Sequence, residues 1–498
     1  MRKPNIRLWT RRLTLTAREA PAEMLLALYF FAIYSLNREH VLNDPTDYLL
    51  LMPIFFALSL LTNRWCRSPR SRIAYRLSPL AAVPFLWADV GGWVHSVAYP
   101  VTLIVSAFAN LVGMGGAPLA SIFLGEKKPQ NANKIFNAGV GMLILFSVLL
   151  TAAVLSCCDG LVRLFGAPTD AFAYARGYLF VYGCGTIFVM FSLGLNPFIT
   201  AQGFSVTSML TVAIGAALNI ALDPLFIFAF GMGVEGAALA TILSQGVSAV
   251  WVTSFFLRKK SLFRFRLRDM LPSLRTVLKI CALGLSPFIM SVTESAIQIV
   301  FNVNLTKWSG GNSDYTAALT VMLSAIQIVC LPLNGLGTGV QPLVSYNYGT
   351  GNSARIRATI KRISVVALCV SGTVWAVSLF APQVYGYLFN ASAPVMQLLK
   401  KYTPFFMAGT VFFFAQMTLQ NVFVALNQAK ISIFLACLRK VILLIPLCFA
   451  LPYAFGVSGI YYSEGIADAV AGIVTASTFF ALLPRILRKR EESLALQK

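Results

Sequence analysis

The chain has 498 residues, of which 57% are hydrophobic and only 12% charged, and its formal net charge is +22. A soluble protein of this size would carry about 25% charged residues. A water-soluble globular domain is therefore excluded, and apolar runs near the ~20 residues that cross a bilayer predict a polytopic, all-α membrane protein.

The basic residues gather at 2–18, 64–76, 258–279, 355–362 and 485–498. These clusters punctuate the apolar runs, as a positive-inside topology requires, and they do not form the continuous basic face of a nucleic-acid binder. The opening MRKPNIRLWTRRLTLTAREAP shows no signal-peptide cleavage pattern and reads as a cytoplasmic tail, residues 1–20. Apolar length then predicts spans near 21–37, 46–62, 77–94, 97–118, 136–156, 172–193, 205–229 and 234–257. A basic linker, 258–274, follows. The second half predicts 275–301, 315–341, 361–381, 402–424, 431–450 and 456–483, then a second cytoplasmic tail, 485–498. An even total places both termini on the cytoplasmic side. Of the first three segments two are short, and the third carries Pro79, Pro84 and Asp89. The linker text RKKSLFRFRLRDMLPSLRTVLK alternates basic and apolar residues, which suits a plain charged loop or a segment lying on anionic headgroups. The cysteines fall mostly inside apolar runs without metal or disulfide spacing and read as small apolar filler.

The chain repeats itself. GMGGAPLASIFLG at 113–125 recurs 224 positions later in GLGTGVQPLVSYNYG, aligning Gly113 with Gly337, Gly115 with Gly339, Pro118 with Pro342, Ser121 with Ser345 and Gly125 with Gly349. GVEGAALA at 233–240 recurs as GVSGIYYS at 456–463. Because that offset spans an even number of predicted helices, the two halves have the same orientation. Two parallel lobes around a central cavity are expected, 21–257 and 275–484, the first with about two extra N-terminal segments.

Ionisable residues inside such runs are expensive, and each needs a partner, a proton or water. In ALNIALDPLFIFAF, Asn219 and Asp223 stand one helical turn apart on one face. Asp223 is either an ion-binding carboxylate or a cap for backbone amides freed by Pro224. Glu294 lies in SPFIMSVTESAIQIVF near Ser291, Ser295 and Gln298, as a coupling acid, a substrate counter-ion or a packed acid. Glu464 and Asp468 form another one-turn pair, which the repeat sets opposite Thr241 and Gln245. Arg439 lies about 12 Å into its helix, at 1.5 Å per residue, and either snorkels to the headgroups or pairs with a carboxylate. Gln416, Gln420 and Asn421 make a polar stripe that would line a cavity. No phosphate-cradling loop is present, and His40 and His95 have no partner set, so neither ATP-driven transport nor an embedded enzyme is expected.

The text NLVGMGGAPLASIFLGEKKPQNANKIF, ALDPLFIFAFGMGVEGAALAT, SPFIMSVTESAIQIVFNVNL, LPLNGLGTGVQPLVSYNYGTGNSARIR and FVALNQAKISIFLACLRKVILLIPL, spread over about 96–485, resembles the multidrug and toxic compound extrusion (MATE) family, in its DinF/MepA-like bacterial branch. The resemblance implies a twelve-helix core of two six-helix lobes. It further implies a monomer in the bacterial inner membrane that exports small organic compounds, often cations, against inward H⁺ or Na⁺, with no cofactor beyond that ion. A cation site of the family falls on Tyr178, Asn219, Asp223 and Thr241, where one acid is joined by neutral oxygens. The start departs from the pattern: where the family's first helix carries an Asp, 21–37 offers Asn37, and Asp89 lies too close to the glycine motif. The alternative is a flippase for lipid-linked sugars in the same superfamily, which would need several Arg or Lys facing the cavity.

Overall fold

The computed structural model describes residues 83–164, 169–310, 312–389 and 391–496. The predicted segments 21–37 and 46–62, the tail at 1–20, the basic run at 64–76, Asn37 and His40 lie outside the described residues. Among the described residues the chain is helical, with no strand. In order the helices are α1 Val83–Gly125, α2 Pro129–Ser156, α3 Cys158–Leu164, α4 Thr169–Cys184, α5 Thr186–Ala201, α6 Ser205–Pro224, α7 Gly233–Leu257 and α8 Leu274–Trp308. They continue with α9 Ser313–Thr350, α10 Ser353–Phe380, α11 Gln383–Leu388, α12 Ala393–Phe406, α13 Gln420–Ala425, α14 Ala429–Cys437, α15 Ile445–Phe455 and α16 Val457–Ala495. Widened turns at Leu225–Ala229, Phe414–Leu419 and Leu438–Leu444 interrupt or extend these helices.

By length and composition the described residues hold up to eleven membrane-crossing spans, if each of two bent helix pairs counts as one. These match the last eleven predicted segments one for one. Four details differ from the reading of the sequence. Segments expected separately at 77–94 and 97–118 form one helix, α1, because Pro100 removes a single backbone donor and does not end the helix. The 172–193 segment is a pair, α4 and α5, bent by 56° around Gly185. The 402–424 segment is likewise bent, by 41° at Phe413, just after a tight turn at Ala408–Phe412. Finally, no break occurs at 484: α16 runs on to Ala495, with Leu487 buried, so this tail is an ordered helix end.

Large apolar side chains such as Leu145, Val148, Leu149, Val206, Met209 and Val365 are exposed, as a lipid-facing surface requires. Close helix approach rests on small residues, with Ala107, Ala109, Ala117 and Ala120 almost fully buried.

The internal repeat is present down to single hydrogen bonds. Ser121 Oγ donates to Ala201 O at 3.4 Å, and its counterpart Ser345 Oγ donates to Ala425 O at 3.1 Å. Lys127 and Gly351 occupy equivalent positions, both left-handed (φ 60° and 76°), as do Gly203 and Asn427 (φ 89° and 60°). Gly125 and Gly349 pack reciprocally, each against the backbone of the other's helix, so α1 and α9 cross with no side chain between them.

The chain divides into two compact units. The smaller holds, among the described residues, 83–98, 157–182 and 216–244. There Gly177 makes room for the Glu235 side chain, Tyr178 and Tyr182 stack at 6.2 Å, and Arg176 pairs with Asp159 at 2.7 Å. The larger holds residues 99–156, 183–215 and 245–498. Its core centres on Phe301, Phe406 and Tyr461, the last stacked on Tyr402 at 4.4 Å, with a second cluster around Phe423 and Phe479. The basic linker belongs to this unit and is tied down through its backbone. Asn133 Oδ1 accepts from Arg264 N at 2.6 Å, Asn137 Oδ1 accepts from Arg266 N at 2.8 Å, and Phe263 is buried against Phe136. Phe263 thus turns inward and the basic side chains outward, while Leu262, Leu267 and Leu271 are exposed alongside them.

Candidate functional site

Tyr178 on α4, Asn219 and Asp223 on α6 and Thr241 on α7 come together within the smaller unit. Asn219 Nδ2 donates to Asp223 Oδ1 at 3.0 Å and reaches Thr241 Oγ1 at 3.5 Å. Thr241 Oγ1 donates to Ala237 O at 3.0 Å, one turn back along its own helix. The Tyr178 side chain lies near Thr241 and Asp223. Asp223 is 9% exposed. Among the described residues its only hydrogen-bond partner is the Asn219 amide, and no base pairs with it. The helix break follows Asp223 directly, because Pro224 has no N–H and the next turn widens. The alternative of a carboxylate capping that break is not what the structure shows, since the carboxylate is held by a side chain.

A second constellation lies in the larger unit. Arg439 is 4% exposed, so it does not snorkel. Its Nε donates to Asp468 Oδ1 at 2.5 Å and its Nη2 to Glu464 Oε1 at 3.2 Å, while the guanidinium sits 5.0 Å from the centre of the Phe413 ring. The one-turn spacing of Glu464 and Asp468 on α16 sets both carboxylates against one guanidinium. Lys440, which the sequence reading overlooked, is equally buried and pairs with Glu294. Gln327 Nε2 also reaches Glu294 Oε1, at 3.5 Å. The missed signal is the dipeptide Arg439-Lys440 itself, two bases in mid-span where one already demanded a partner. Ser291 does not serve Glu294; its hydroxyl donates to Pro287 O at 3.0 Å.

The polar stripe of Gln416, Gln420 and Asn421 is largely enclosed among helices. Gln416 and Gln420 are 1% and 3% exposed. Gln420 Nε2 donates to Ser286 Oγ at 3.1 Å and to Ser432 O at 3.3 Å, tying α13 to α8 and α14. Asn421 Nδ2 donates to Met417 O at 2.7 Å. No group of His, Cys, Asp and Glu suited to a metal ion occurs among the described residues.

The MatE family model matches residues 94–225 and 287–450, more than half of the chain. The chain belongs to the MatE family. It is accordingly a multi-pass membrane transporter and not an enzyme. Tyr178, Asn219 and Asp223 lie in the first matched block of this MatE protein, and Glu294, Arg439 and Lys440 in the second; Glu464 and Asp468 lie beyond both. The chain is similar to the multidrug export protein MepA of Staphylococcus haemolyticus (strain JCSC1435), with 26% identity covering 78% of this chain and 85% of that one. It is also similar to a solved structure of the MATE multidrug transporter DinF-BH (TM-score 0.74, 28% identity, 81% and 91% of the two chains). An outward-facing multidrug resistance MATE transporter shares the fold at TM-score 0.75 and 22% identity, over 89% of this chain and 97% of that one.

Proposed function

We propose that the protein exports small organic compounds, cations among them, across the bacterial plasma membrane in exchange for inward H⁺ or Na⁺. The observation that carries this reading is Asp223, a buried carboxylate in a membrane-spanning helix with a neutral amide for its partner. A carboxylate so placed favours taking up a cation, and the hydroxyls of Tyr178 and Thr241 with the Asn219 carbonyl offer the neutral oxygens that hold one. Relatives support the substrate class: MepA is named for multidrug export, and DinF-BH is named a multidrug transporter.

Charge sets the orientation. The chain crosses back and forth so that Lys127 and Lys128, the 258–279 stretch, the 355–362 run and the end of α16 all fall on one end of the spans. That strongly basic end is the cytoplasmic one, and the C-terminus lies there. A sugar-lipid flippase is the competing reading, and the buried bases Arg439 and Lys440 speak for it. Both are matched by Glu294, Glu464 and Asp468, so that cluster is acidic on balance and favours a cation.

The test is efflux of a fluorescent organic cation from proteoliposomes of defined orientation, under an imposed pH or Na⁺ gradient in separate runs. The wild type exports under one gradient, and folded Asp223→Asn does not. Gradient-driven export that survives the substitution assigns Asp223 a structural role, and a wild type that moves no cation under either gradient overturns the antiport reading.

A further inference from the structure

The segment 258–279, between α7 and α8 in the larger unit, carries eight bases and one acid, Asp269. Among the described residues none of those bases makes an ion pair. A stretch so charged would ordinarily be a loose loop, yet α2 holds this one along its length. Asn133, Asn137 and Gly141 stand four residues apart and so share one face of α2. The two buried amides receive Arg264 N and Arg266 N, and Asn137 Nδ2 donates back to Arg264 O at 2.9 Å. Gly141 lets the Met270 carbonyl lie against the helix, where a Cβ would collide with it. At the near end Gln202 Oε1, just past α5, accepts from Leu262 N at 2.7 Å and from Ser261 Oγ at 3.1 Å. Residues 261–270 are thus a strap of fixed course, anchored inward by Phe263. Its outer side mixes two chemistries. Arg264, Arg266 and Arg268 are exposed, and so are Leu267 and Leu271, at 82% and 89%. The mixture continues into α8, where Leu274 and Leu278, with Arg275 and Lys279, are exposed as one-turn pairs.

We propose that this strap is a docking surface for anionic phospholipid, with Arg264, Arg266 and Arg268 on the headgroup phosphates and Leu267 and Leu271 at the acyl boundary. Charge alone does not make such a surface. At the same end of the spans α10 exposes Arg355, Arg357, Lys361 and Arg362, but its Ile356 and Ile360 are buried. Bases that merely set topology need no bare leucines beside them. A free anion would answer the strap's bases and leave its leucines in water, whereas a lipid answers both. The buried amides of α2 also fix the strap's backbone before any lipid arrives, so little ordering cost falls on binding. The inference goes beyond the proposed export and does not rest on it.

Native mass spectrometry of the full-length protein in detergent tests this, by titration with dioleoyl phosphatidylglycerol or with phosphatidylcholine of the same chains. Wild type retains the anionic lipid on the order of tenfold or more tightly than the zwitterionic one. Arg264→Gln/Arg266→Gln/Arg268→Gln loses that preference. The three side chains are exposed and unpaired, so the variant melts with wild type. Arg264→Lys/Arg266→Lys/Arg268→Lys keeps the charge and most of the preference. Arg355→Gln/Arg357→Gln/Lys361→Gln, an equal loss of charge on α10, keeps the preference too. Leu267→Ser/Leu271→Ser weakens retention of phosphatidylglycerol. A wild type without the preference, or an equal loss in the strap and α10 variants, overturns the proposal. So does phosphatidylglycerol binding that is unchanged in the leucine variant or displaced by inorganic phosphate, since either marks a site for a free anion. Should the strap Gln variant not fold, the leucine variant and the phosphate competition decide. Export is not measured, so every outcome leaves the antiport reading as it stands.

Discussion

Arg439→Met asks how much the buried charge group contributes to stability. The guanidinium makes two charge-assisted hydrogen bonds, at 2.5 Å and 3.2 Å, and covers the Phe413 ring. Methionine fills most of the same space but strands Glu464 and Asp468 in a site almost closed to water. Removing one partner of a buried ion pair costs about 3–5 kcal/mol, mostly the penalty of the charge left behind. The triple variant Arg439→Met/Glu464→Gln/Asp468→Asn strands no charge, so it recovers most of that loss. Thermal unfolding in detergent is followed with a thiol-reactive fluorophore: exposed thiols such as Cys184 and Cys369 label at the outset, and the rise on heating reports the buried Cys158, Cys330 and Cys448. The single variant melts well below wild type, and the triple variant melts near it. A single variant that melts with wild type, or a triple variant as weak as the single, refutes the reasoning.

Four further outcomes follow from other contacts. Burial by itself would raise the Glu126 carboxyl, but Arg490 at 2.5 Å and Lys128 at 3.1 Å outweigh it and hold the group below its ordinary 4.5. A depressed folded-state value stabilises above the ordinary value and stops doing so as pH falls through the depressed one, so the gap in melting temperature between wild type and Glu126→Gln closes below about pH 4.5. Gly125→Val drives a side chain into α9, where even a Cβ would lie 3.0 Å from Gly349 Cα, and lowers stability by about 1–3 kcal/mol on the same melting assay. Ser345→Ala removes the buried bond to Ala425 O, leaves that carbonyl short of a donor and costs about 1 kcal/mol, with Ser121→Ala behaving alike at the equivalent site. Asn427→Ala gives up the short polar side chain that lets Asn tolerate the left-handed region and costs about 1 kcal/mol, whereas Asn427→Gly melts at or above wild type.

The sequence by itself determined the spans, the repeat and part of the first site. Lipid offers no hydrogen bonds to a bare backbone, so each crossing is a helix and announces itself by apolar length alone. The repeat was legible because the same local demands recur: Gly125 and Gly349 share a close helix crossing, and Ser121 and Ser345 share a buried bond, and few residue types meet either need. Asn219 and Asp223 were readable as a pair because four residues make one turn; Tyr178 and Thr241 joined them through family likeness, and the structure sets them side by side.

Only the tertiary structure decided which charge meets which. Glu294 and Lys440 stand 146 residues apart and Glu126 and Arg490 364 apart, and no periodicity links them. It also took Gln416 and Gln420 from an expected cavity lining and buried them between helices. Hydropathy places a residue at a depth in the membrane, and turn geometry places it on a face. Its partner depends on where other helices cross, and that is set by the packing of small residues such as Gly125 against Gly349, which no local stretch of the chain encodes.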